Sequence, residues 1–141
     1  MTTIFNAIEA LFADQDTKDL FIAEGLTPPE RVIVYNREYE EEEADHMPPR
    51  PYLSIQFDRH EWAHEDGVKQ ADIPVIVHVV QDVISFEEKQ EDLLQYPELV
   101  VSVLDELAIS GDVLEHQESD PDHDSRHYFV KKERFMILAR R

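Results

Sequence analysis

Residues 51–62 read PYLSIQFDRHEW and residues 72–83 read DIPVIVHVVQDV, and these two stretches decide the fold. The first alternates strictly: Leu53, Ile55 and Phe57 point to one side and polar residues to the other, as in a half-buried strand. The second contains a run of mostly β-branched apolar residues, which predicts a central strand. A glycine-containing turn, AHEDG, separates them, so we expect an antiparallel hairpin.

The residues before this hairpin predict two helices and a strand. Thr2 or Thr3 can cap a first helix, because the apolar residues that follow recur with a period of about 3.6. Residues 16–25 predict a second short helix that ends at Gly25. Residues 31–39, RVIVYNREY, alternate and are β-branched, which indicates another strand.

The residues after the hairpin predict a helix and a second hairpin. An apolar stripe runs through residues 86–109; we expect the main helix to start near Pro97 and to stop before Gly111. The sequences VLEHQES and RHYFVKKERFMILAR then flank a polar turn, DPDHDS. The chain is therefore predicted to be one α+β domain, residues 1–141: a mostly antiparallel sheet built of hairpins, with two main helices packed on one face.

Charge limits the possible functions. Among 141 residues there are 32 acidic and 13 basic ones, a net charge of −19. Such a surface repels phosphates and anionic membranes, so we expect neither specific nucleic-acid binding nor membrane binding. Cysteine is absent, which excludes disulfides and thiolate zinc sites. The N-terminus lacks the basic region of a secretory signal, so a soluble intracellular protein is expected.

The sequence EYEEEEADHMPPRP, residues 38–51, concentrates this charge. Six acids, among them Glu40, Glu41, Glu42 and Glu43, repel one another, and the prolines prevent regular structure. We interpret this segment as a flexible acidic loop. A site for cations or for a basic partner is the alternative.

Residues 60–64, HEWAH, match the zinc-protease pattern H-E-x-x-H. Zinc binding needs His60 and His64 on one face of a helix, with Glu61 placed to activate a water molecule. On a strand, residues four apart stand ~13 Å from each other and cannot share one ion. The preceding alternation favours a strand that runs into the turn, and Gln70 stands where a third histidine is needed. We therefore assign no metal site; a zinc-dependent hydrolase remains the alternative.

Other chemical motifs are incomplete. Asp120, Asp122 and Asp124 resemble the start of a calcium loop, but Ser125 replaces the required glycine and Lys131 the bidentate glutamate. No phosphate-binding glycine loop or G-x-S-x-G elbow occurs in this sequence. For His78, inside the apolar run, we predict a hydrogen-bonded histidine of the core or of a sheet face. We assign no catalytic residue and no cofactor.

The order of these elements resembles the tail-completion proteins of tailed bacteriophages and prophages, also called tail terminator or head–tail joining proteins. The resemblance rests on the first helix, RVIVYNREY, the acidic proline-containing loop, PYLSIQFDRHEW, DIPVIVHVVQD, the helix LLQYPELVVSVLDELAI and the closing strand pair. It implies a ring, often a hexamer, at the end of the tail, with DNA passing through its lumen. It also implies contacts with tail tube and head-connector proteins, and a place in the virion and in the host cytoplasm during assembly.

The prediction from the sequence is therefore a non-enzymatic virion assembly protein that forms a homo-oligomeric ring. The exposed segments expected to contact neighbouring subunits or line the lumen are the acidic loop and the turn at Glu65, Asp66 and Gly67. Two alternatives stay open: the zinc-dependent hydrolase, and an acidic partner-binding protein or nucleic-acid mimic.

Overall fold

A computed structural model describes residues 2–35, 48–57, 74–82, 90–109, 111–124 and 128–139. The helices are α1 (Thr2–Ala13), α2 (Gln15–Ala23) and α3 (Gln90–Leu104). The strands are β1 (Val32–Val34), β2 (Tyr52–Phe57), β3 (Pro74–Asp82), β4 (Ala108–Ile109), β5 (Asp112–Asp124) and β6 (Tyr128–Ala139). The predicted α+β class with a mostly antiparallel sheet is confirmed.

The six strands form one sheet in the order β1-β2-β3-β6-β5-β4. The pair β2–β3 is antiparallel, with Leu53 opposite Val79 and Ile55 opposite Val77. The pair β5–β6 is also antiparallel, so both predicted strand pairs are present. β1 lies parallel to β2. The sheet therefore has two short edges, β1 at one end and β4 at the other.

The main core lies between the three helices and one face of the sheet, which we call the helix-covered face. Ile4, Ile8 and Phe12 lie on one side of α1 at four-residue spacing, and all three are buried. Phe21 of α2 packs between Phe12, at 6.2 Å between ring centroids, and Tyr96 of α3, at 5.2 Å. These rings join α1, α2 and α3 into one layer.

Tyr96 brings a hydroxyl into this apolar layer. Burial raises the pKa of the Tyr96 phenol well above its usual range, and the negative charge of Glu30 adds to the effect. Within the described residues its hydroxyl oxygen has no hydrogen-bond partner. The phenol therefore stays protonated and neutral throughout the physiological pH range.

The opposite face of the sheet, which we call the second face, is also buried in part. His78 is fully buried there: its Nε2 lies 2.8 Å from Oε1 of Gln56, and its ring stacks on Tyr35 at 4.4 Å. The prediction of a hydrogen-bonded sheet-face histidine is thus confirmed. At the end of β3, Asp82 forms an ion pair with Arg50, which follows the acidic run of the predicted loop. A small apolar cluster on the second face comprises Tyr52, Val80, Tyr128 and Val130.

The predicted start of the main helix was wrong. α3 begins at Gln90, so Pro97 lies inside the helix and is no first-turn residue. A proline there has no N–H for the carbonyl four residues earlier, which belongs to Leu93. Nε2 of Gln81, a buried residue of β3, donates to this carbonyl at 2.7 Å. A tertiary contact therefore supplies the hydrogen bond that the proline removes.

The predicted end of the helix and the predicted polar turn were also misplaced. α3 ends at Leu104, and the chain turns at Glu106, whose φ of 68° lies in the left-handed region. Gly111, with a φ of 89°, lies between β4 and β5. β5 extends to Asp124, so most of DPDHDS belongs to a strand. Pairing with β6 overrides the local turn preference of these residues.

The Gln81–Leu93 contact can be tested by a double-mutant cycle. We expect Gln81→Leu to lower the free energy of unfolding by about 1–2 kcal/mol, because the Leu93 carbonyl loses its donor. In a Pro97→Ala background, the main-chain N–H of the new alanine supplies that donor, so the same substitution should cost clearly less. Urea denaturation of the four proteins measures both values. Equal losses in the two backgrounds would contradict this role of Gln81.

Candidate functional site

The residues that the sequence singled out as possible zinc ligands, subunit contacts or lumen segments lie outside the described part of the chain. These are His60, Glu61 and His64, the acidic residues 40–43, and residues 65–67. What the sequence indicates for them stays a prediction. Across the described ranges, no group of three or more His, Asp or Glu side chains is placed to hold a metal ion.

A buried carboxylate stands out on the helix-covered face. Glu133 of β6 is 1% exposed. Its Oε2 accepts hydrogen bonds from Nε2 of His116, at 2.8 Å, and from Oγ of Ser119. Its Oε1 lies 3.7 Å from Nζ of Lys131. Such partners are required, because an isolated buried carboxylate costs several kcal/mol.

A serine, a histidine and a carboxylate in contact also occur in hydrolase triads, but there the serine and the carboxylate bind opposite ring nitrogens. Here Oγ of Ser119 lies 3.2 Å from Nε2 of His116, the nitrogen that also contacts Glu133. Because Nε2 donates its proton to the carboxylate, it cannot accept the proton of the serine. This arrangement stabilises a buried charge and does not activate a nucleophile.

No sequence motif predicted this cluster, although the residue spacing in β6 indicates part of it. Glu133, Phe135 and Ile137 are two residues apart, so a strand places all three on one side. His116 and Ser119 are three apart and would lie on opposite sides of a regular strand. A register shift between residues 116 and 118 brings both to the side of Glu133. No local feature of the sequence reveals that shift.

Among the described residues, β1 pairs with a strand on one side only, so it is the first open edge of the sheet. The carbonyl of Arg31 and the N–H of Tyr35 bond to residues of β2, at 2.9 and 3.0 Å. Alternate residues of a strand direct their main-chain groups to opposite sides, so those of Val32 and Val34 point away from β2. The side chain of Val34 is 66% exposed. This edge therefore offers main-chain hydrogen-bonding groups together with an apolar side chain.

A pocket of about 330 Å³ lies beside this edge, and its lining includes two cations, Lys18 and Arg31, and two acids, Glu9 and Glu30. Elsewhere in this acidic chain, Arg50, Lys131 and Arg134 each pair with a carboxylate. Within the described ranges, Lys18 and Arg31 form no ion pair. Two cations without an ion-pair partner among the described residues thus stand next to the open strand.

Within the described ranges, β4 pairs only with β5 and is the second open edge, at the opposite end of the sheet. The N–H of Leu114 in β5 bonds to the carbonyl of Leu107, at 2.9 Å. By the same alternation, the main-chain groups of the exposed Ala108 point away from β5. Asp105 and Glu106, which immediately precede this edge, are both exposed. This edge therefore combines open main-chain groups with negative charge.

The class that these features define is an α+β protein whose single described sheet is open at two short, chemically different edges. Comparison with protein-family models, with curated proteins and with solved structures gave no match. Among the helices of the described ranges, none has the length and apolarity to cross a membrane.

Proposed function

We propose that this protein is a non-enzymatic virion assembly protein of tailed phages or prophages, of the tail terminator or head–tail joining type. It forms a homo-oligomeric ring around a lumen that conducts DNA. The observation that carries the proposal is the pair of open edges, β1 and β4, at opposite ends of one sheet. Two different complementary edges permit head-to-tail contacts between identical chains, and such contacts close into a ring when the rotation allows.

The order of elements supports the same proposal. The described residues contain α1, then β1, the antiparallel pair β2–β3, then α3 and the pair β5–β6. This is the order on which the resemblance to tail-completion proteins rests. Because tail-completion proteins work as rings, this resemblance is consistent with the two open edges serving as contacts between copies.

The net charge of −19 supports a lumen through which DNA slides. Phosphates bind proteins through Lys and Arg, so an acidic wall does not retain them. The same charge opposes assembly, because neighbouring copies repel each other. Salt screens that repulsion: the Debye length falls from about 10 Å at 0.1 M to about 3 Å at 1 M.

We therefore expect the 16.5 kDa chain to form assemblies of several copies, and the assembled fraction to increase with salt. Sedimentation velocity over a range of salt and protein concentrations measures this, and electron microscopy shows whether the assemblies are rings. A chain that stays monomeric throughout, alone and with purified tail tubes, contradicts the proposal.

Two further measurements separate the alternatives. A zinc-dependent hydrolase would carry stoichiometric zinc that disappears in the His60→Ala variant. An acidic partner-binding protein would form a complex with a basic protein, and that complex would weaken as salt rises. Ring assembly should instead increase as salt rises, because repulsion between like-charged copies limits assembly and salt screens that repulsion.

A further inference from the structure

We infer that neighbouring copies join by parallel pairing of β4 of one copy with β1 of the next, with Glu106 beside Arg31 where the two strands begin. The inference rests on the proposed function, because it names the surfaces through which the ring forms. The occupant of the β1 edge is thus a second copy of this chain.

Strand direction determines how the two edges meet. β1 is parallel to β2, and every other neighbouring pair in the sheet is antiparallel. Followed across the order β1-β2-β3-β6-β5-β4, β1 and β4 therefore run in the same direction. Copies related by rotation about an axis along the strands keep that direction. β4 consequently meets β1 as a parallel neighbour, and the helix-covered faces stay on one side of the assembly.

The main-chain groups that point outward fit one register. In a parallel pair, a residue bonds to the two residues on either side of its partner. With Ala108 opposite Ile33, the Ala108 N–H donates to the Val32 carbonyl, and the Ala108 carbonyl accepts from the Val34 N–H. The same three residues have main-chain groups that point away from their own sheets.

The faces of the two strands agree with this register. It places Leu107 opposite Val32 and Ile109 opposite Val34. Val32, Leu107 and Ile109 all contact the main core, and Ile33 contacts the cluster on the second face. The exposed Val34, two residues after Val32, thus lies beside the apolar Ile109. A slip of one residue would instead place side chains of opposite faces next to each other.

The charges agree as well. The register brings Glu106, the left-handed residue that precedes β4, to the same end of the strand pair as Arg31, and Lys18 lies in the same pocket as Arg31. Two chains of charge −19 repel each other, and pairs of opposite charge at the contact offset only part of that repulsion. Lys18 and Arg31 form no ion pair within the described part of their own chain. The acids before β4 provide the complementary charge.

Charge reversal tests this contact. We expect Arg31→Glu to lower the association constant about tenfold or more, because two glutamates then meet at the interface. The double variant Arg31→Glu/Glu106→Arg should recover most of the loss, because the pair is restored in reverse. Both side chains are exposed, and a left-handed φ at Glu106 is equally strained for Arg and Glu. Folding should therefore be unchanged, which circular dichroism checks.

The matched control is Arg31→Glu/Glu98→Arg, in which the second reversal falls on an exposed acid of α3. It has the same net charge as the rescue variant, so sedimentation velocity of the two compares location alone. Recovery in the Glu106 variant but not in the Glu98 variant supports the inference. If the wild-type chain forms rings and Arg31→Glu assembles equally well, or both double variants recover equally, the inference is overturned and the proposed function stands. A wild-type chain that never assembles overturns both.

Discussion

Replacing His116 with leucine is expected to lower the free energy of unfolding by about 3 kcal/mol. Glu133, which is 1% exposed, then loses the donor that now lies 2.8 Å from its Oε2. Leucine keeps an apolar side chain beside Phe135, whose ring packs against the imidazole in an edge-to-face arrangement, at 5.1 Å between centroids. The lost free energy of unfolding therefore reflects mainly the missing hydrogen bond to the buried carboxylate and only slightly the change in packing. Urea denaturation followed by circular dichroism gives the value.

The double variant His116→Leu/Glu133→Leu provides the control. Removing both members leaves no buried carboxylate in need of a donor, but it leaves Lys131, which is 14% exposed, without its carboxylate. We therefore expect the double variant to recover part of the lost stability. Ser119→Ala, which removes only one hydrogen bond to the carboxylate, should cost about 1 kcal/mol. If the free-energy losses of His116→Leu and Glu133→Leu add up in the double variant, the interaction between these two side chains does not stabilise the fold.

Phe21→Ala is expected to have the largest effect on stability, about 4 kcal/mol. The Phe21 ring is fully buried and contacts the rings of Phe12 and Tyr96. Its removal leaves a cavity where the three helices meet. Because α2 also carries Lys18, the variant should assemble less well than its loss of stability alone suggests. Thermal and urea denaturation measure the first effect, and sedimentation velocity measures the second.

The neighbouring residue on α2 supplies the comparison for this prediction. Leu20 has a similar apolar side chain but is 52% exposed. We expect Leu20→Ala to change stability by no more than about 0.5 kcal/mol. Equal losses of stability for Phe21→Ala and Leu20→Ala would contradict the packing of α2 against the core through Phe21.

The spacing of apolar residues along the chain predicted much of the fold. The alternation of Leu53, Ile55 and Phe57 predicted β2, and the apolar run around His78 predicted β3 as its antiparallel neighbour. Both strands are confirmed, because a strand places alternate residues on opposite faces of a sheet. The expected half-burial of β2 was wrong, since Ser54 on the second face is only 2% exposed. α1 is equally local, since Ile4, Ile8 and Phe12 report the helical period directly.

The candidate site was much harder to predict from the sequence than the fold. The open edges depend on which strands pair, and the parallel placement of β1 beside β2 is a long-range choice. The outward main-chain groups of Ala108 follow from its pairing with β5 and not from its identity. Arg31 has no ion-pair partner among the described residues, and the pattern of charges along the chain does not predict this.

The sequence by itself determined the class of the fold, the two strand pairs and the strongly acidic surface, because periods of 2 and about 3.6 and the sum of charges are local or additive properties. Only the tertiary structure decided that Pro97 lies inside a helix, where Gln81 supplies the missing hydrogen bond. It likewise decided that Glu133 is buried beside His116. Each of these outcomes depends on a contact between residues distant in the chain, and a contact of that kind leaves no periodic trace in either partner.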